Sequence, residues 1–121
     1  MTDDEIFSFA QKKLGSAWAL ELLLLLYQNP SRTWRHEDLV RELRSSLAVI
    51  TPCVAALKSA GLVAEDKDGG VRYQAANAEL EASTAALARL YASAPMAVAK
   101  AIMRAPNDKL SIFSNSFKLK D

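Results

Sequence analysis

The sequence has a single cysteine, Cys53, so no internal disulfide can form and no second thiol is present for a cysteine metal site. That scarcity fits a reducing compartment, and the cytoplasm is the expected location. Charge of one sign is also missing: 15 Lys and Arg against 14 Asp and Glu leave a formal +1 at pH 7. A domain held to nucleic acid mainly by phosphate contacts is usually visibly basic, so that function would have to rest on local clustering of charge. Long apolar runs are absent too. The richest, AWALELLLLLYQ, carries Glu21 and stops well short of the about twenty residues a bilayer crossing requires, so no membrane partner is expected. The start, MTDDEIFSFA, is acidic where an export signal needs positive charge. There is no internal repeat and no low-complexity linker.

What is present suits one hydrophobic core. The chain is 121 residues long, half apolar and about a quarter charged, an ordinary balance for a folded domain. The pattern predicts a mainly α fold with a small β-hairpin wing. A short amphipathic helix runs from about Ile6 to Lys13, turning Ile6, Phe7 and Phe9 or Ala10 inward. Gly15 and Ser16 end it, and Ser16 is placed to cap a leucine-rich helix that is apolar nearly all round, as a central buried helix should be. QNPSR stops that helix, and Thr33 and Trp34 leave room for a brief extended piece. RHEDLVRELR then puts Leu39, Val40 and Leu43 on one helical face.

Ser46 can cap the next helix, whose inward stripe is Ile50, Val54 and Leu57, and Gly61 is the expected stop. Pro52 leaves two readings open. Either it lies inside this helix at a cost of about 3 kcal/mol, or Thr51 is the cap, Pro52 takes the first helical position and residues 46–50 form a separate turn. LVAEDKDGGVRYQAA reads as two short strands about a turn made by Asp68, Gly69 and Gly70. Asn77 can cap a long alanine-rich helix reaching Ser93. Pro95 punctuates it, a further helix runs to Arg104, and APND breaks that in turn. In KLSIFSNSFKLK, Leu110, Phe113 and Phe117 share one helical face and are expected to dock; the basic residues Lys109, Lys118 and Lys120 are expected to be solvated.

The order helix, helix, capped helix, glycine, two-stranded wing carries a resemblance. From Leu39 to Tyr73, and most clearly in Leu57, Gly61, Leu62 and Val63, the chain resembles the MarR-like and ArsR-like bacterial regulators. The resemblance implies a winged helix-turn-helix with long C-terminal helices: a domain over 1–76 and a helical extension over 77–121 for dimerisation or docking. It also implies a regulator that binds double-stranded DNA as a homodimer. On that reading Arg35, Arg41, Arg44, Lys58 and Arg72 hold phosphates, while Ser46, Val49, Thr51 and Pro52 face the groove.

Projection at 100° per residue turns Ala48, Val49, Thr51, Pro52, Ala55, Ala56 and Ser59 outward on the third helix of the core. None is Arg, Lys, Asn or Gln, the types whose paired donors and acceptors match base edges. The alternative is therefore an interaction module that docks a protein through this helix and no longer reads DNA. A third possibility is a ligand-sensing regulator with a pocket beside Trp18, Trp34 or Tyr91. Arg32, Arg35, His36, Arg41 and Arg44 form a basic cluster interleaved with Glu37, Asp38 and Glu42, so a solvated face is its plainer explanation. In the wing, Glu65, Asp66 and Asp68 outnumber Lys67 and Arg72.

On the long helix, Leu80, Thr84, Leu87 and Tyr91 form the stripe expected to meet a second copy, with packing on the chain's own first helices as the other option. Cys53 has no neighbouring cation in sequence to lower its pKa and is expected at the edge of the core. His36 lacks the companions of a metal site, and Ser45 and Ser46 lack a positioned base. No catalytic activity, metal or cofactor is expected.

Overall fold

The computed structural model describes residues 1–103. It is mainly helical, with one two-stranded antiparallel hairpin: α1 (Asp3–Lys13), α2 (Ala17–Gln28), α3 (His36–Leu43), α4 (Leu47–Ser59), β1 (Val63–Glu65), β2 (Val71–Tyr73), α5 (Ala78–Ser93) and α6 (Pro95–Met103).

α1 starts three residues before the expected Ile6 because Thr2 caps it. The Thr2 hydroxyl accepts from the Glu5 backbone at 3.2 Å and Glu5 returns the bond to the Thr2 backbone at 2.9 Å. Ile6, Phe9 and Ala10 point inward. Ser16 caps α2 as its sequence position suggests, accepting from Ala19 at 3.1 Å. α2 is the central element: Leu20, Leu22, Leu23 and Leu26 are at most 1% exposed, and each such side chain contributes about 1.5–3 kcal/mol by leaving water. Only Glu21 and Trp18, among its larger residues before Gln28, reach the surface.

Trp34 supplies the brief extended piece. It exchanges backbone hydrogen bonds with Val71 at 2.8 and 2.7 Å, adding a third rung beside the hairpin. Strands β1 and β2 pair Val63 with Tyr73, Ala64 with Arg72 and Glu65 with Val71. Their turn is organised by Asp66 rather than by Asp68: an Asp66 carboxylate oxygen accepts from the backbones of Asp68 at 2.9 Å and Gly70 at 2.8 Å. Gly69, at φ +85°, supplies the left-handed step.

Of the two readings of Pro52, the structure has the first. α4 begins at Leu47 with Ser46 at the cap position, and Pro52 is its sixth residue, so Thr51 is not a cap and residues 46–50 are not a separate turn. The helix carries through the proline because Ile50 on one side and Val54 and Leu57 on the other are all at most 1% exposed; their burial outweighs the lost backbone bond. Ser46 has the extended backbone of a cap but its side chain makes no capping bond. Gly61 ends α4 at φ +79°, with Leu62 N–H donating to Leu57 O and Gly61 N–H to Lys58 O, both at 3.0 Å. Those two bonds, with Leu62 and Leu57 both buried, make a Schellman stop.

Asn77 caps α5, accepting from Leu80 at 2.9 Å. α5 packs on α1 and α6, which corrects part of the expectation for its stripe. Thr84 and Leu87 are both 0% exposed within a single chain, so a second copy has no access to them; Leu80 and Tyr91 are half-buried. The long helix is covered by the chain's own α1 and α6, whose inward residues Ile6, Phe9, Val98 and Ile102 supply the apolar surface. α6 is described to Met103, and the expected docking stripe Leu110, Phe113 and Phe117 lies outside the described residues.

Candidate functional site

The outward flank of α4 is where the 3.6-residue period places it. Ala48, Thr51, Pro52, Ala55, Ala56 and Ser59 are exposed and Val49 is half-buried, while Ile50, Val54 and Leu57 face the core. Ser46 is exposed at the head of the helix. Leu47 joins this surface at 51% exposure; as the first helical residue it has no preceding turn to pack against, and an isolated apolar position gives no periodic signal.

α3 is held against α4 through a three-residue connection in which Arg44 adopts φ +54°, ψ +48°. A left-handed conformation is costly for a residue with a side chain, but it lets the N–H of Ser45 reach Val40 O at 3.0 Å and reverses the chain sharply. The start of α3 is fixed by Asp38, which accepts from the Arg35 backbone at 3.1 Å and from the Arg41 guanidinium at 2.7 Å. That backbone bond, and then the Arg41 bond, hold the Asp38 carboxyl below its ordinary value.

The basic cluster is only partly available. Arg41 is engaged by Asp38, and Arg32 lies over the Trp34 ring at 3.5 Å from its centroid. Arg35 and Arg44 are exposed and have no side-chain partner among the described residues. Arg72 is exposed on β2 and donates to Gln74 at 2.8 Å. Lys58 approaches Glu65 at 3.8 Å.

Between the heads of α3 and α4 and the hairpin lies a groove of about 450 Å³ lined by Arg35, His36, Leu47, Thr51, Glu65 and Asp68, among others. His36 crosses it. One ring nitrogen, Nδ1, is 3.1 Å from the Thr51 hydroxyl, and Nε2 is 2.8 Å from Glu65 Oε2. The imidazole thus joins the first residue of α3 to the outer flank of α4 and to β1. Glu65, noted in sequence only as one of several wing acids, offsets part of the positive potential of Lys58, 3.8 Å away. Its pairing with a residue 29 positions away has no sequence signature.

The other candidates fall elsewhere. Cys53 is half-buried, and burial pushes its thiol up, against a smaller opposite effect of the Ser16 hydrogen bond; this is the setting of an unreactive thiol. Trp34 is 2% exposed and part of the core, Trp18 stands 37% exposed on α2, and Tyr91 is half-buried on α5. Ser45 is half-buried with its hydroxyl unpartnered among the described residues, and Ser46 is exposed.

In chemical terms the surface combines a convex helix of mostly small side chains, two arginines at its edge that are unengaged among the described residues, and a groove in which His36 is bonded to Thr51 and Glu65. No family model, curated protein or solved structure matches the chain.

Proposed function

We propose that the chain is a winged-helix regulator that binds double-stranded DNA chiefly through its backbone and reads sequence weakly. The observation that carries this reading is the placement of α4: a helix with a mostly exposed flank, flanked by the head of α3 and by an antiparallel hairpin, with Arg35 lining the groove between them. Arg35 and Arg44 would contact phosphates first, because neither has a side-chain partner among the described residues; Arg41 would have to leave Asp38, Lys58 Glu65, and Arg72 Gln74. At the bases, Val49 and the Thr51 methyl can meet thymine methyl groups, and Ser46 and Pro52 add shape rather than a donor and acceptor code.

The test is retention of a labelled pool of random duplexes at low salt, followed by a salt titration. Binding is expected to fall steeply with salt. The Arg35→Ala, Arg44→Ala chain should lower the slope of log K against log salt by about 2, since each lost phosphate contact removes roughly 0.9. Absence of retention at low salt overturns the reading.

The second reading is a protein-docking module, favoured by the side chains of the same flank: Leu47, Ala48, Pro52, Ala55 and Ala56 are all exposed and apolar or small. Depletion of charge with a compact apolar centre is what the buried middle of a protein interface requires. A chain that ignores duplexes at low salt leaves this reading standing.

A further inference from the structure

His36 is the one histidine of the chain. Its side chain is 19% exposed, held between α3, α4 and β1, and the Glu65 side chain beside it is 23% exposed. Both ring nitrogens are engaged: Nε2 lies 2.8 Å from Glu65 Oε2 and Nδ1 lies 3.1 Å from the Thr51 hydroxyl. An ionised carboxylate has no proton to give, so Nε2 carries the hydrogen and donates it. In the uncharged ring Nδ1 is then a bare acceptor, and the proton of its bond comes from the Thr51 hydroxyl. Thr51 has no other side-chain hydrogen bond among the described residues and stands exposed on the outward flank of α4.

This bridge carries the state of a mostly buried ring to the surface. With its proton committed to Nδ1, the Thr51 oxygen offers only lone pairs outward. When the ring takes a second proton from solvent, Nδ1 becomes a donor and the Thr51 oxygen accepts from it. The hydroxyl then turns its own proton outward, and no bond between heavy atoms changes. Charges of both signs surround the ring. Arg35 and Glu37 line the groove from α3, Glu65 from β1 and Asp68 from the hairpin turn; on α4, Lys58 lies 3.8 Å from the other Glu65 oxygen.

We propose that His36 is a positioning residue that sets the hydrogen-bonding polarity of Thr51: an acceptor toward its partner when the ring is neutral, a donor when the ring is charged. The inference rests on the duplex-binding reading for the identity of that partner. Phosphate oxygens, and the O6 and N7 of guanine, only accept. They match the charged state, in which the ring also adds a positive charge to the groove. Duplex binding across α4 therefore takes up a proton at His36. The complex holds more protons than the free chain, so affinity rises as pH falls.

Two measurements on the full chain test this. In the free protein, the His36 ring signals, which a single histidine makes unambiguous, and the Thr51 methyl signal are followed by NMR from about pH 8 to about pH 5, where imidazole ordinarily changes charge. The Thr51 methyl is expected to move with the same midpoint as the ring. It should stay fixed in His36→Gln, whose amide can donate to Glu65 and accept from Thr51 without taking a charge. A ring that does not titrate in that range, or a Thr51 methyl that stays still while it does, overturns the proposal. The second measurement is affinity for the random duplex pool at one low salt concentration over the same pH range. The native chain should gain up to about tenfold per pH unit as pH falls, the limit for one proton, and His36→Gln should be flat. Thr51→Val keeps the ring charge and loses the hydroxyl, so its gain should be smaller than the native one; an equal gain removes Thr51 from the coupling and overturns the proposal. Absence of duplex binding at every pH overturns the choice of partner instead, and the Thr51 methyl still decides the bridge.

Discussion

Tyr73 stands at the seam between the hairpin and α5. Its hydroxyl donates to the Glu81 carboxylate at 3.0 and 3.1 Å, and its ring meets Tyr27 edge to face, with centroids 5.2 Å apart and planes at 89°. Burial pushes the phenol from 10.0 up to about 12; the Thr84 hydrogen bond opposes this, and the Glu81 carboxylate reinforces it by disfavouring a phenolate. An acid whose folded pKa exceeds its unfolded value loses its proton first from the unfolded chain. The resulting stability is fully present below pH 10 and is lost as pH rises towards about 12. Denaturant titrations across that interval should show stability falling with pH, and Tyr73→Phe should flatten the fall; an equally steep fall in the Phe chain would remove Tyr73 as its cause. None of this is visible in sequence, because the partners come from α2 and α5. The stop at Gly61 is different: a glycine after a helical stripe announces a left-handed step, and the backbone takes it at φ +79°. Arg44 takes the same conformation without a glycine to announce it.

At the scale of elements, α4 shows how a local rule yields to packing. A proline in a helix interior costs about 3 kcal/mol relative to alanine, and Pro52 is the sixth residue of thirteen. Because its side chain is exposed, Pro52→Ala removes no core contact and restores a backbone N–H that can reach Ala48 O. The expected result is a gain of about 1–3 kcal/mol in unfolding free energy by chemical denaturation; an unchanged midpoint would show that the helix does not gain that bond. The two stripes of α4 were legible from spacing, since a buried Ile50, Val54, Leu57 row leaves the opposite flank to solvent in any helix. The continuation through Pro52 was not, because it depends on how tightly α2 and α3 grip the residues on either side. The hairpin was legible in position and direction, but the role of Asp66 depended on its carboxylate reaching two backbone N–H groups at once.

For the whole molecule, the decisive packing is that of α5 and α6 against α1. Leu87 is 0% exposed in the isolated chain, so Leu87→Ala should lower folding stability by about 2–5 kcal/mol, measured by denaturant unfolding and independent of protein concentration. A loss that appears only on dilution would instead place Leu87 between two copies. Sequence by itself determined the helices, the hairpin and which face of each is apolar, because alternation, caps and glycine stops act over a few residues. It also determined that no cysteine pair or excess of charge contributes, since composition carries that directly. Only tertiary structure decided which apolar faces cover one another, that His36 and Glu65 meet, and that Arg32, Arg41 and Arg72 are engaged by Trp34, Asp38 and Gln74. Those outcomes depend on distances between residues far apart in the chain, and a periodic pattern shows that a face is buried without showing by what.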